Sequence, residues 1–594
     1  MTRKLLALSI LLQSTIGLSQ ELDPIIFTTK QENPETQMTS SVYVLEQDDI
    51  ENRGNLRAVD VIRNIPGVEV VQTGVVGGTA SIFIRGAESR HTVVMIDGVK
   101  IYDPTAPSRS FNLATLNSLD IERVEVLKGA QSVLYGSDAI GGVINIITKK
   151  GEGKNRLKAG IGIVKEVSAG HTFDFEKGLV YTNAYYQTTE FASDAKNKNI
   201  EDQKINKGVT VTGIFQIEKV DSETTFKMTN DFAQIDSVDS VTNEPVDNLN
   251  AYSKTFHTFF KQGFKYDFSD YEKIFLDYSY SRFERGDNTG TGLTSRDGTV
   301  MNTELRYLRD MRYSSFVAGF NRQSETFRSD YTDQEELSMN EIFGNTTVQY
   351  GNYVLESGAR MTSNATFGSH IVYNLGARYN LDENHSFKTS FKTGFQAPSI
   401  YQLFGEESTG KVGNKNLGPE KSKNFEIGYD FKTRDMKAGA AFFQNNIENF
   451  INAQWNSNDN IEEATITGVD TYFDWTLGVN TLGATLALYD YELSNNQDIS
   501  RRPKQSVGLN YSHLLNDEHS FGGHLTYQGE RFDYQGTTKK TLDAYQVLDL
   551  NYTFTSGDLK LMGFIKNIFD TDYEVASGYN TMRRGVQINV EYIY

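Results

Sequence analysis

Long stretches of this chain alternate strictly between apolar and polar side chains. Phe425, Ile427, Tyr429 and Phe431 interleave with Glu426, Gly428, Asp430 and Lys432, and Leu548, Leu550, Tyr552 and Phe554 with Asp549, Asn551, Thr553 and Thr555. Ile274, Leu276, Tyr278 and Tyr280 alternate with Phe275, Asp277, Ser279 and Ser281, and the last segment sets Val586, Ile588, Val590, Tyr592 and Tyr594 on one face. Successive side chains of a strand point to opposite faces, so one apolar and one strongly polar face predict strands standing between lipid and an aqueous lumen. A soluble β-helix or sandwich also alternates. Aromatic residues near the strand ends and the aromatic last residue favour the membrane barrel. A tilted membrane strand needs about ten residues; with turns and loops at about 20 residues per strand, residues 156–594 predict an all-β transmembrane barrel of about 22 antiparallel strands. Such a barrel has a lumen wide enough to hold a plug.

Residues 38–150 follow a different rhythm. Val42–Leu45 reads as a short strand, and Leu56, Val59, Ile62 and Ile65 recur at helical spacing, with Asn55 as an N-cap and Pro66-Gly67 as a stop. Short strands then alternate with turns: Val68–Val71, Ser81–Arg85, Thr92–Ile96, Ile121–Leu127 and Val143–Thr148. This compact α+β unit is the obvious occupant of the lumen. Ahead of it, Arg3 and Lys4 precede the apolar run Leu5–Leu12, with Gly17 and Ser19 placed for cleavage before Gln20. Residues 1–19 therefore read as a secretory signal peptide, and 20–37 as an N-terminal arm.

Composition narrows the class. The 594 residues include 50 Gly, 32 Tyr and 36 Phe but only 9 Pro and 2 Trp, and apolar residues make up 38%. A large soluble enzyme needs more Leu, Ile, Val and Ala for its cores. After the first twenty residues no apolar run approaches a membrane-spanning helix. Cysteine is absent, which removes disulfides, thiolate metal sites, catalytic thiols and a lipoprotein anchor. The formal net charge of −19 argues against nucleic acid as a partner.

Several motifs in fixed order carry a resemblance. The small domain holds Ser81-Ile-Phe-Ile-Arg-Gly86, Val94-Met-Ile-Asp-Gly98, Lys128-Gly-Ala-Gln-Ser-Val-Leu-Tyr-Gly136 and Ile140-Gly-Gly-Val-Ile-Asn-Ile146. The barrel holds Gly394-Phe-Gln-Ala-Pro398, Gly413-Asn-Lys-Asn-Leu-Gly-Pro-Glu-Lys421 and Lys566-Asn-Ile-Phe-Asp-Thr-Asp-Tyr573. Together they resemble TonB-dependent outer-membrane receptors over essentially the whole mature chain. Length and the Gly136-Ser-Asp-Ala-Ile-Gly-Gly142 run most resemble the vitamin B12 (cobalamin) transporter branch.

The resemblance implies site residues. Asp23, Pro24, Ile25, Ile26, Phe27, Thr28 and Thr29 would form the Ton box, the strand offered to the energy-coupling protein TonB; an unpaired extended segment can add to a partner's sheet edge through main-chain hydrogen bonds. Arg85 and Lys128 of the plug would pair with Glu426 and Asp470 of the barrel. The family's usual residues at the second and fourth positions are Arg and Glu, so Lys128 and Asp470 depart from it, a Lys making a point-charge contact rather than a fork. Two plug loops, 72–80 and 102–111, would face outward and floor the substrate site through Gln72, Thr73, Gly74, Tyr102, Ser108 and Arg109. The acids Asp194, Glu201, Asp202, Asp236, Asp239 and Asp247 fall in two predicted outer loops. The cobalamin branch binds Ca²⁺ in comparable loops, and oxygen ligands suit that ion, whereas interleaved Lys196, Lys198, Lys204 and Lys207 favour a solvated acidic surface. No covalent cofactor is expected. The terminal aromatics Tyr592 and Tyr594 would be the signal read by the barrel-assembly machinery.

The activity implied is active uptake of a scarce nutrient across the outer membrane, with TonB, ExbB and ExbD supplying energy and a surface lipoprotein as a further partner type. Cobalamin is the first substrate expectation and a ferric siderophore the alternative. A haem receptor places an axial His between the motifs at 395–398 and 414–417, and residues 399–413 contain none. A passive porin would lack both Ton box and plug. No Ser/His/Asp arrangement or His-rich metal motif appears among the 8 His, so an enzyme is not expected.

Overall fold

The computed structural model describes the chain from residue 37 to 594 apart from 55, 64, 152–153, 191–192, 197–200, 239–244, 249, 290–291, 407–411, 454–457, 495–498 and 536–537. In the N-terminal arm it describes 25–26, 30 and 33–34. The predicted signal peptide, the helix cap Asn55, and Asp23, Pro24, Phe27, Thr28 and Thr29 of the Ton box lie outside the described residues.

Twenty-two antiparallel strands form a closed barrel, each paired with its sequence neighbour. Closure joins the first strand, Arg156–Gly162, to the last, Gly585–Ile593, with Arg156 opposite Ile593. Alternation along the strands does what the pattern implied. On Glu420–Lys432, Glu420, Ser422, Asn424 and Glu426 are buried in the lumen, whereas Phe425 and Ile427 are exposed on the outer wall. The lipid face carries the apolar load, so the chain reaches stability with an unusually polar interior. No described helix is long and apolar enough to cross a membrane. One end of the barrel has tight connections such as 218–219, 312–313 and 478–479; the other has longer loops such as 235–251 and 567–584. Short periplasmic turns and long outer loops are the usual polarity of such barrels. The entry from the plug and the terminal Tyr594 both lie at the short-turn end.

The plug is a five-stranded sheet in spatial order Val42–Leu45, Ile121–Lys128, Gly142–Thr148, Thr92–Ile96, Val99–Ile101, with a hairpin of Val68–Gln72 and Ala80–Ile84 beside it. The helix the sequence suggested spans Ala58–Arg63, its entry fixed where the Arg57 amide donates to the Asp60 carboxylate at 3.1 Å. Ile62, Val70, Ile84, Val124, Val126, Ile144 and Ile146 build the plug core, which continues onto Phe259 and Phe283 of the barrel wall. Plug and barrel thus share buried surface, and their relative position is set mostly by polar contacts.

Candidate functional site

Arg85 follows the strand Ala80–Ile84 in a left-handed conformation (φ 52°), its amide donating to the Gly67 carbonyl at 2.8 Å. A non-glycine residue held there costs about 1–3 kcal/mol and persists only where its surroundings impose it. The turn aims the guanidinium at the wall. Nη1 donates to Glu426 Oε2 at 2.5 Å and Nε to Asp470 Oδ2 at 2.6 Å, while the guanidinium lies 4.4 Å from the Phe443 ring centre. Ser41 Oγ donates to Glu426 Oε1 at 2.7 Å, and the Tyr489 hydroxyl to Asp470 Oδ1 at 2.5 Å. Lys128 Nζ stands 3.5 Å from Asp470 Oδ2. The next residue, Gly86 (φ 74°), leaves no room for a side chain: a Cβ would sit 2.3 Å from the Tyr491 ring.

The structure therefore brings together all four ionisable residues that the resemblance selected, in a different arrangement from two separate pairs. Arg85 takes both carboxylates and Lys128 flanks one of them. Two cations face two anions, and all four are at most 4% exposed. A buried charge left without its partner costs roughly 3–5 kcal/mol, so the cluster is tolerable only complete.

Other polar plug–barrel contacts gave no motif in the sequence. Arg90 grips Glu420 with two donors, at 3.1 and 2.9 Å, and His91 Nε2 meets the same carboxylate at 2.9 Å. Arg360, paired with Glu341, donates to the Val133 and Leu134 carbonyls at 3.3 Å. Lys227 holds Asp120 at 3.1 Å. A signal did exist: Glu420 shares strand parity with Glu426, and Glu341 with the buried Met339 and Phe343. Parity marks the lumen face but leaves the partner unknown.

The two plug loops are corrected in part. Arg109 donates to Glu325 at 3.1 Å and to Asp138, and its guanidinium lies 4.8 Å from the Tyr102 ring centre. The Tyr102 hydroxyl accepts from Gln323 at 2.8 Å. Both side chains are buried and brace the loop against the wall, where the Arg109 charge is neutralised. Gln72 is likewise turned inward, donating to the Val75 carbonyl at 2.9 Å. Gly74 (φ 85°) packs against Asp194. Thr73 and Ser108 are half-buried and Pro107 is exposed, so the presented surface is smaller and less charged than the sequence suggested.

The acidic loops are corrected too. Asp194 accepts from the Val75 amide at 2.9 Å and pairs with Lys204. Asp202 accepts from the Asp194 amide at 2.7 Å, Asp236 from the Ala195 amide at 2.5 Å, and Asp247 from Ser193 Oγ at 2.6 Å. These carboxylates tie the two loops to each other and to the plug, and among the described residues no group of three or more acids or histidines converges as metal ligands. Asp239 lies outside the described residues. Burial, reinforced by Asp202, Asp194 and Asp247, lifts Asp236 to about 6.

In the arm, Ile25–Ile26 pairs antiparallel with Asn33–Pro34, and Lys30 Nζ is 2.5 Å from Glu304 of the wall. Tyr592 and Tyr594 stack at 5.4 Å at the short-turn end of the closing strand.

Comparison with known proteins agrees with this architecture. Residues 34–143 match the TonB-dependent receptor plug domain, and residues 164–568 the TonB dependent receptor-like β-barrel. The fold is shared with the siderophore receptor PirA from Acinetobacter baumannii at 16% identity and TM-score 0.79, covering 93% of this chain and 98% of that one. It is shared with the ferric-catecholate import receptor Fiu from E. coli at 16% identity and TM-score 0.79, covering 97% and 99%. A mutant of the ferric enterobactin receptor PfeA from Pseudomonas aeruginosa matches at 15% identity and TM-score 0.79, covering 94% and 99%. The barrel match spans well over half of the sequence, and with the plug match ahead of it, the chain belongs to the TonB-dependent receptor family and resides in the outer membrane.

Proposed function

We propose that this receptor takes up a ferric siderophore. Transport of a small molecule coupled to TonB is the family's activity, and the substrate class rests on one observation: siderophore receptors, a ferric-catecholate importer among them, share this fold over nearly the whole chain. The ordering of expectations from the sequence is thereby reversed, since nothing in these similarities is particular to the cobalamin branch. Cobalamin remains the second reading, on the motif resemblance alone. Substrate would settle on the long-loop side, over Thr73, Pro107 and Ser108. Asp23–Thr29 would be the segment handed to TonB, and its Ile25–Ile26 pairing with Asn33–Pro34 is short enough to be exchanged for a partner strand. The outer membrane has no ATP, so the pull must come from TonB, with ExbB and ExbD behind it. Tyr592 and Tyr594 would serve assembly; removing Tyr592–Tyr594 should lower the yield of heat-modifiable folded barrel.

The test is equilibrium binding of a ferric catecholate, a ferric hydroxamate and cyanocobalamin to the purified full-length receptor. Saturable binding of a ferric chelate with none of cyanocobalamin is expected. The reverse result would return the assignment to cobalamin.

A further inference from the structure

We propose that a groove on the outer wall of the barrel binds the phosphorylated saccharide head of an outer-leaflet glycolipid, a role apart from uptake. The groove has a volume of about 660 Å³. It runs across the long-loop ends of strands Tyr252–Ser269, Glu272–Asn288, Leu293–Met311 and Ser314–Ser329.

Strand parity puts this groove outside the lumen. Phe259, Phe283, Val300 and Phe327 are buried in the interior, whereas the lining residues Lys254, Glu284, Gly286, Asp297 and Arg328 have the opposite parity on the same strands. Nearer the short turns that outer face is apolar, with Phe264, Tyr278, Met301 and Phe320 exposed. This is the band that meets acyl chains. The groove therefore stands just above the hydrocarbon, where lipid heads lie.

Its chemistry has two halves. Arg282 donates to Asp297 at 2.8 and 3.1 Å and stands 2.8 Å from Glu284, while Arg328 Nε lies 3.7 Å from Asp297. All four side chains stay partly exposed, so donors and acceptors are both open to sugar hydroxyls. Lys254 differs. Its ammonium lies 4.7 Å from the Tyr252 ring centre and 5.5 Å from that of Phe232, and it has no ion-pair partner among the described residues. A cation held by aromatic faces beside lipid heads suits a phosphate. Gly286 makes the room: it stands opposite Lys254 and Ser295, and a Cβ there would meet only the Leu293 side chain, at 3.4 Å. A phosphosugar head satisfies both halves and lets its acyl chains run down the apolar band. A phosphoglycerol head brings the anion without the ring of hydroxyls.

The test is binding of rough-type lipopolysaccharide to the purified full-length receptor in detergent, followed by native mass spectrometry. Saturable binding that survives equal concentrations of phosphatidylglycerol or inorganic phosphate is expected. Lys254→Ala with Arg328→Ala should weaken it about tenfold, as should removal of the phosphates from the lipopolysaccharide. Gly286→Phe, which fills the groove and leaves every charge in place, should also weaken it. Lys423→Ala, which removes an exposed cation paired with Glu448 elsewhere on the outer wall, should change nothing. Heat-modifiability verifies that each variant is folded. Undiminished binding by both groove variants, or equal loss in Lys423→Ala, overturns the site. Displacement by phosphatidylglycerol overturns recognition of the saccharide, and displacement by inorganic phosphate overturns the glycolipid as ligand. Equal binding of the dephosphorylated form overturns the role of Lys254. No ferric chelate enters these measurements, so the substrate reading stands or falls separately.

Discussion

The plug meets the barrel along two seams of opposite character. On the side of strands 420–493 the contact is dry: Arg85, Lys128, Glu426 and Asp470 form a closed charge cluster, Arg90 forks onto Glu420, and Ala87 and Ile140 pack on Phe443 and Ile447. On the side of strands 220–311, near the short turns, a cavity separates the walls and the pairs Lys150–Glu223 and Lys265–Asp221 are partly exposed, while further into the lumen Lys227–Asp120 is buried and Phe259 and Phe283 continue the plug core. Buried ion pairs are costly to break singly, whereas wet ones are worth little. One seam thus fixes the plug in register and the other lets part of it move. A receptor that must stay sealed yet pass a bulky nutrient needs both.

Deleting Asp23–Phe27 should have the largest effect, complete loss of energised uptake with binding and membrane insertion intact, because neither seam is touched and only the pull is removed. Normal transport by the deletion strain would rule out that segment as the Ton box. Next comes Arg85→Ala, which strands Glu426 in the dry seam and leaves Asp470 to Lys128, at a cost of about 3–5 kcal/mol. It should raise sensitivity to bulky antibiotics while the barrel stays folded. Arg85→Glu with Glu426→Arg should recover part of the seal; additive effects across that cycle would show the two residues uncoupled. Lys128→Met should leak less than Arg85→Ala, because Arg85 continues to hold Asp470, and Lys265→Met, whose pair with Asp221 is partly exposed, should be nearly silent. Equal leak from Lys265→Met and Arg85→Ala would erase the distinction between seams.

The smallest effect concerns pH. Asp236 is raised to about 6 from the ordinary carboxylate value. The folded loop therefore binds a proton that the unfolded chain releases near pH 4, and its contribution is full below that value and lost as pH rises through about 6. Limited proteolysis of the 235–251 loop should be slower at pH 5 than at pH 7.5. Slower cleavage at pH 7.5, or protection on adding Ca²⁺, would point back to a metal-organised loop.

The barrel was legible in the sequence because period-two alternation is a local property: Phe425 and Ile427 announce a lipid face whatever their neighbours. The residues of the dry seam were reachable only through motif resemblance, and even then the pairing was not. Whether Arg85 faces one carboxylate or two depends on where strands 420–432 and 458–477 lie around the plug, a register that no single segment encodes. The plug loops misled for a related reason. Tyr102 and Arg109 stand among Pro and Ser as binding residues often do, but their partners Gln323 and Glu325 come from a strand more than two hundred residues away. Lys30 carried no signal at all, since its meaning comes from Glu304 and two aromatic rings.

The asymmetry of the seams is tested most directly by amide hydrogen exchange on the intact, unmodified receptor. Local opening sets exchange rates, so segments tied into a dry interface exchange near the global limit and those bordering a wet cavity much sooner. Residues 81–87 and 124–129 should be strongly protected, and 97–101 should exchange well ahead of them. Uniform protection across the plug, or faster exchange at 81–87 than at 97–101, would contradict the account.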